Sequence, residues 1–193
     1  MRRTQMPSLL ILLLIPLVSA QLTADNLRAT CPNDKEICYS KAAQGECYGN
    51  SLKAQVLNKN CPCSCSEVLH SRIQNCCKTV GQPEMKFCLP LCGYNTTVEE
   101  LGSSLGVKCV SQLTTLAYCA ADNNNNTECC KAKGVAEECM SFCKGDVPTC
   151  DLQSIFSYQP CLKSMKAITQ CQVENLSAEA RFDPDWQAPC EWE

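Results

Sequence analysis

The arrangement that most limits what this chain can become is a set of six cysteines that occurs twice. Cys76, Cys77, Cys88, Cys92, Cys109 and Cys119 are followed by Cys129, Cys130, Cys139, Cys143, Cys161 and Cys171, at offsets of 53, 53, 51, 51, 52 and 52 residues. An offset that holds across six positions marks an internal duplication of one structural unit. The neighbours repeat in part: Asn75-Cys76-Cys77-Lys78 faces Glu128-Cys129-Cys130-Lys131, polar before the vicinal pair and lysine after it.

Arg2 and Arg3 precede an apolar run from Leu9 to Val18 that ends in Val18-Ser19-Ala20. This is the pattern of a secretory signal peptide over residues 1–20, cleaved before Gln21. The run is too short for a helix that crosses a bilayer, which takes about 20 apolar residues. No later stretch is long and apolar enough to span, and the polar end from Asp183 to Glu193 does not fit a GPI signal. The expectation is a secreted, extracellular protein with no membrane insertion after cleavage.

All 20 cysteines lie beyond the leader. An even number at this density in an oxidising compartment reads as a framework of up to ten disulfides rather than as metal ligands. Without Arg2 and Arg3 the formal charge moves from −3 to −5, with 15 basic against 20 acidic residues, and no block of Lys and Arg occurs. Phosphate binding needs such a block, so nucleic acid is not an expected partner. Phe and Trp are scarce, so stability leans on the cross-links, each contributing about 2–4 kcal/mol.

Cys31, Cys38, Cys47, Cys61, Cys63 and Cys65 form a first cluster ahead of the tandem. Some thirty-five residues bury too little to fold unaided, so about three bridges are expected here. In a reducing cell the dense Cys61-Pro62-Cys63-Ser64-Cys65 would suggest a soft-metal site; behind a leader, disulfides are the better reading. The spacing Cys31-x6-Cys38-x8-Cys47-x13-Cys61-x3-Cys65, with Gly45-Glu46-Cys47 and Asn60-Cys61-Pro62 inside it, resembles the ShKT domain, the sea-anemone-toxin-like module, over residues 31–68. The family ends in Cys-x-x-Cys, which would place its last cysteine at Val68, whereas this chain carries Cys63. The resemblance implies pairing of Cys38 with Cys61 and Cys47 with Cys65 and, with Cys63 taken as the sixth cysteine, of Cys31 with Cys63. Toxin members block potassium channels with a Lys-Tyr pair. Lys53 stands at the lysine position, but Ala54 replaces the tyrosine.

Within the tandem, Leu69, Ile73, Cys76, Cys77 and Val80 fall at i, i+4, i+7, i+8 and i+11, one face of a helix. Gly81 ends it and Pro83 opens the next element. There Cys88 and Cys92 are four apart, as are Cys139 and Cys143 in the second repeat, which predicts two parallel staples from one helix face. Gly145 is placed as a cap. Third helices are expected around 113–120 and 162–173. Vicinal cysteines on a helix diverge by about 100°, so each member of a pair should take a different partner, one on the Cys-x3-Cys element and one on the third helix. Six cysteines still allow fifteen connectivities.

The residues Asn75-Cys76-Cys77-Lys78, Phe87-Cys88-Leu89-Pro90-Leu91-Cys92, Tyr118-Cys119-Ala120-Ala121-Asp122, Asn126-Thr127-Glu128-Cys129-Cys130-Lys131 and Cys139-Met140-Ser141-Phe142-Cys143 resemble the DB module, a twelve-cysteine extracellular domain typical of roundworm proteins. The resemblance spans residues 68–175, with repeats at 68–122 and 126–175. It implies an extracellular compartment and six bridges, and it occurs elsewhere alone or beside immunoglobulin, fibronectin type III or lipase-like domains. The fold class that follows is all-α, small and disulfide-rich: two three-helix cysteine-stapled units behind a short knot, with a tail at 176–193. Cys150 and Cys190 remain. Either they bridge, pinning the tail with Trp186 and Trp192 against the second repeat, or one is free or intermolecular.

Few other residues point to chemistry. Asn95, Asn125 and Asn175 head N-glycosylation sequons. His70 is the single histidine, and its helix position favours a surface or packing role over that of a general base. No nucleophile elbow, metalloprotease pair or phosphate loop is present. Asp122-Asn123-Asn124-Asn125-Asn126 lacks the spaced carboxylates of a calcium loop and reads as a connector in which Asn126 or Thr127 caps the next helix. No catalytic residue, metal or cofactor is expected. The leading reading is a non-catalytic module binding an extracellular protein or matrix component; the alternative is a toxin-like modulator of a channel or receptor acting through Lys53 and the knot.

Overall fold

The computed structural model describes residues 22–148 and 157–189, and these fold as helices with no strand among them. The leader, Cys150, Cys190 and Trp192 lie outside the described residues. Three helices precede the tandem: α1 (Ala24–Thr30), α2 (Glu36–Ala43) and α3 (Leu52–Asn60). Thr23 and Asn26 cap α1 reciprocally, and the Ser51 hydroxyl accepts from the Ala54 N–H at the start of α3. Each cap satisfies donors that the first turn leaves without partners.

The long helix α4 (Pro62–Val80) follows, opened by Pro62, whose missing N–H costs nothing in a first turn. Its 19 residues span about 28 Å at 1.5 Å per residue. It is the spine of the amino-terminal half. Cys63 and Cys65 near its start pair with Cys31 and Cys47, while Cys61 just before it pairs with Cys38. Cys76 and Cys77 near its end pair with Cys119 and Cys92. The knot and the first repeat therefore share one rigid element that runs through residue 68.

Beyond Gly81 come α5 (Met85–Cys88), α6 (Val98–Leu101), α7 (Ser104–Lys108) and α8 (Leu113–Ala121). The second repeat supplies α9 (Thr127–Ala132), α10 (Met140–Lys144) and α11 (Met165–Glu174). The vicinal cysteines of this repeat also diverge, Cys129 to Cys171 and Cys130 to Cys143. Cys88 joins Cys109, and Cys139 joins Cys161.

The expectation of two parallel staples from one continuous helix is corrected. In the first repeat the chain passes from α5 into a 3-10 turn at Leu89–Leu91 and then leaves helical geometry at Cys92. Pro90 explains the break, because it has no N–H to continue an α-helical ladder. Cys88 and Cys92 thus point to opposite neighbours, the segment after α7 and the spine α4. In the second repeat Cys139 ends a 3-10 turn and Cys143 lies in α10, with the same division of partners.

Three buried clusters fill the molecule. One lies in the knot around Leu27, Tyr39 and Ala42. A second lies in the first repeat around Ile73, Met85 and Leu116, and a third in the second repeat around Val135, Phe142 and Ile168. Helix α8 joins the last two: Leu116 and Tyr118 enter one core while Ala117 enters the other. A helix apolar on nearly every side belongs in an interior. The third helix of the first repeat is thus also a wall of the second.

Candidate binding site

Three exposed large apolar side chains stand together on the knot. On α2, Cys38 is fully buried in its bond to Cys61, and neighbouring residues on a helix diverge by about 100°. Ile37 therefore points outward and is 56% exposed. On α3, Ala54 is fully buried while Leu52 and Val56 are 76% and 50% exposed. Spaced four apart, Leu52 and Val56 stand on one outer face. All three apolar side chains line one shallow groove between α2 and α3, with Lys35, Lys41, Lys53 and Glu46 around it.

Electrostatics order this rim. The Glu46 Oε1 atom accepts from both Lys41 Nζ and Lys53 Nζ, each at 2.9 Å. The two ammonium groups, Lys41 foremost, hold the Glu46 carboxyl below the usual carboxylate range, against an opposing effect of burial. Three lysines around one glutamate leave the groove locally positive on a chain whose net charge is −3.

Lys53 stands on this rim with two-thirds of its side chain exposed. Ala54 is a different matter: it points into the knot, so the position that carries tyrosine in the toxin stretch is not displayed here. Leu52 and Val56 carry a sequence signal, an i, i+4 pair with the small Ala54 between them, whereas Ile37 has none beyond its place beside Cys38.

The other candidates separate. Asn95, Asn125 and Asn175 are all exposed. Asn175 donates through Nδ2 to the buried Asn126 Oδ1 at 2.8 Å. The Asn126 side chain does not cap α9, although it holds the N-cap position; the Asn125 Oδ1 instead accepts from the Thr127 N–H at 3.1 Å. His70 is half-buried against Gly93, and its Nδ1 has no hydrogen-bond partner. Cys129, Cys171 and Glu174 cluster as metal ligands would, but the two sulfurs are joined to each other, which leaves one carboxylate.

The described part of the carboxy-terminal tail has its own seat, while the two alternatives for Cys150 and Cys190 fall outside the described residues. Trp186 stacks on Tyr118 with ring centroids 4.0 Å apart, and Phe182 packs beside it on the first repeat's core, not on the second repeat. The Tyr118 hydroxyl also accepts from the Asp183 N–H at 2.8 Å. Asp122, which the sequence places in a polar connector between the repeats, is 1% exposed and pairs with Arg72.

Comparison with known proteins adds a framework. A family model described as the DB module matches residues 76–172. Two Caenorhabditis elegans proteins, Ig-like and fibronectin type-III domain-containing protein 1 and protein 2, are each 30% identical over 126 residues, 61% of this chain. The chain spans 12% and 8% of their respective lengths. No solved structure matches it.

Proposed function

We propose, from the premise that the chain belongs to the DB module family, that it is a secreted, non-catalytic binding module whose knot groove docks an acidic protein. The DB module is an extracellular-type disulfide-rich domain and not a known enzyme family. Among the described residues no helix is long and apolar enough to cross a membrane, and no cysteine is free to act as a nucleophile.

The observation that carries the reading is the exposed trio Ile37, Leu52 and Val56 inside a rim of lysines. Clustered apolar side chains with a polar rim are the anatomy of a contact surface. The positive rim calls for an anionic partner, and the apolar centre favours a protein over a polysaccharide, which has no hydrophobic side chains to bury there. The Cys38–Cys61 bridge ties α2 to the residue that ends α3 and fixes the groove before contact, so little entropy is lost on docking. Channel block has weaker support, because Lys53 is tied to Glu46 and position 54 is interior.

The test captures partners from extracellular fluid with the oxidised mature protein and with a Leu52→Asp/Val56→Asp variant. The expected result is a protein retained by the wild type, released by salt and absent from the variant eluate. An identical retained set from both proteins would overturn the reading.

A further inference from the structure

Between the two repeats lies a cavity of about 290 Å3. That is about twice the ~150 Å3 cavity that admits benzene in an engineered protein interior. Its walls come from α8, with Leu116 and Ala120, from α11, with Ile168 and Thr169, and from the segment Leu91–Thr96 of the first repeat. Among the described residues that line it, none carries a charge.

Three of the polar side chains on the walls have partners within the protein. The Tyr94 hydroxyl donates to the Ala120 carbonyl at 3.1 Å, Thr96 Oγ1 to Leu91 at 2.9 Å, and Gln172 Nε2 to Phe142 at 3.0 Å. The buried side-chain atoms without partners among the described residues belong to Glu46, Ser64, His70, Arg72, Gln112 and Ser141, and none of these lines the cavity. Among the described residues no buried, unpartnered polar side chain therefore faces the space, and an apolar cavity holds water poorly.

Protein interiors normally close such spaces, because close packing gains dispersion energy. Here Cys109 and Cys161 lie in the wall, bound to Cys88 and Cys139. Cross-links at the wall hold it apart and limit collapse, and the penalty of an empty space depends on how far it can relax.

We infer that this inter-repeat cavity is a binding site for the aliphatic chain of a single-chain lipid, whose polar head stays at the uncharged rim by Gly102 and Gln159. The volume suits a chain on the order of ten carbons, taking each at ~30 Å3, the share of one water in the liquid. The ligand is recognised by shape and desolvation alone, as expected of a largely preformed apolar pocket. The site lies in the tandem, away from the knot groove, so each stands or falls without the other.

The test titrates the oxidised mature protein with N-phenyl-1-naphthylamine, a neutral dye that brightens in apolar sites, and then displaces it. Two single-chain competitors, each kept below its micelle-forming concentration, distinguish the sources of the chain: free decanol, and decanoyl lysophosphatidylcholine. Displacement by either supports the site, and the effective competitor names the source. Ala120→Phe and Thr169→Phe fill the space from opposite walls, so failure of one to fold leaves the other decisive. Each is expected to weaken dye binding at least tenfold, whereas Leu52→Asp in the knot leaves it unchanged. Equal binding by the wild type and a folded filling variant, or displacement by neither competitor, overturns the proposal.

Discussion

Arg72 and Asp122 form an ion pair of 2.5 Å with side chains only 7% and 2% exposed, and four parts of the chain meet at it. Arg72 belongs to the spine helix, and its guanidinium lies 4.9 Å from the Tyr48 ring of the knot. It also donates to the Ser177 and Glu179 carbonyls of the tail. Asp122 ends α8 in a left-handed conformation, φ 50°, and accepts from the Arg181 N–H at 3.1 Å. Knot, first repeat, inter-repeat junction and tail are thus ordered around one pair of charges.

Removing one partner should therefore be worse than removing both. A lone buried charge is destabilising by about 3–5 kcal/mol, whereas an apolar replacement of a whole pair is often near neutral. Arg72→Met and Asp122→Asn are each expected to fall in that range in denaturant melts. The double variant should be less destabilised than the sum of the two. Strict additivity in the cycle would show that the two groups do not interact.

The bridges differ in the loops they close. Cys76–Cys119 joins residues 43 apart and Cys77–Cys92 residues 15 apart. Chain entropy alone makes the longer link worth about 1 kcal/mol more. Serine replacement of Cys76 with Cys119 is expected to lower stability by that much beyond replacement of Cys77 with Cys92. Non-reduced peptide mapping checks the pairing itself, and a Cys76–Cys77 linkage would contradict it.

What could be read ahead of the structure was what covalent spacing and helical period encode. The duplicated cysteines and the buried face through Ile73, Cys76 and Cys77 needed only local information. The break after Cys88 was signalled by Pro90, but the i, i+4 spacing of two cysteines outweighed it. Helices α6 and α7 are four and five residues long, too short to leave a hydrophobic period. The seat of Trp186 on Tyr118 and the burial of Asp122 depend on partners about 50 to 70 residues away, and nothing in the local composition of either segment announces them. In the candidate groove Lys53 was legible, whereas the outward turn of Ile37 follows from the bridge that draws Cys38 inward, and that of Leu52 and Val56 from the burial of Ala54.

Two glycines allow a controlled comparison of conformation with contact. Gly134 and Gly145 both have positive φ, 74° and 76°, a region that disfavours other residues by about 1–2 kcal/mol. A Cβ at Gly134 meets nothing within 4 Å, whereas one at Gly145 would lie 2.7 Å from the Ala121 Cβ and 3.0 Å from the Ala117 carbonyl oxygen. Gly134→Ala is expected to show the conformational penalty alone. Gly145→Ala should exceed it clearly, since α10 must move away from α8. Equal melting shifts for the two would mean that α8 and α10 are not in close contact.

Protonation of Glu46 gives the groove a defined response to acid. Its folded pKa lies below the ordinary glutamate value of about 4.3, chiefly through Lys41 and next through Lys53. A depressed carboxylate contributes stability that is fully present above the unfolded pKa and is lost as pH falls through the folded one. The melting difference between wild type and Glu46→Gln should accordingly stay constant from pH 7 to about 5 and shrink below about 4.3. Carboxyl-carbon NMR measures the titration directly. Lys41→Met is expected to raise the Glu46 pKa more than Lys53→Met, the order in which the two lysines contribute. A wild-type Glu46 that titrates at or above the ordinary value would mean that the lysines do not engage it in solution, and the rim of the groove would then be ordered by something else.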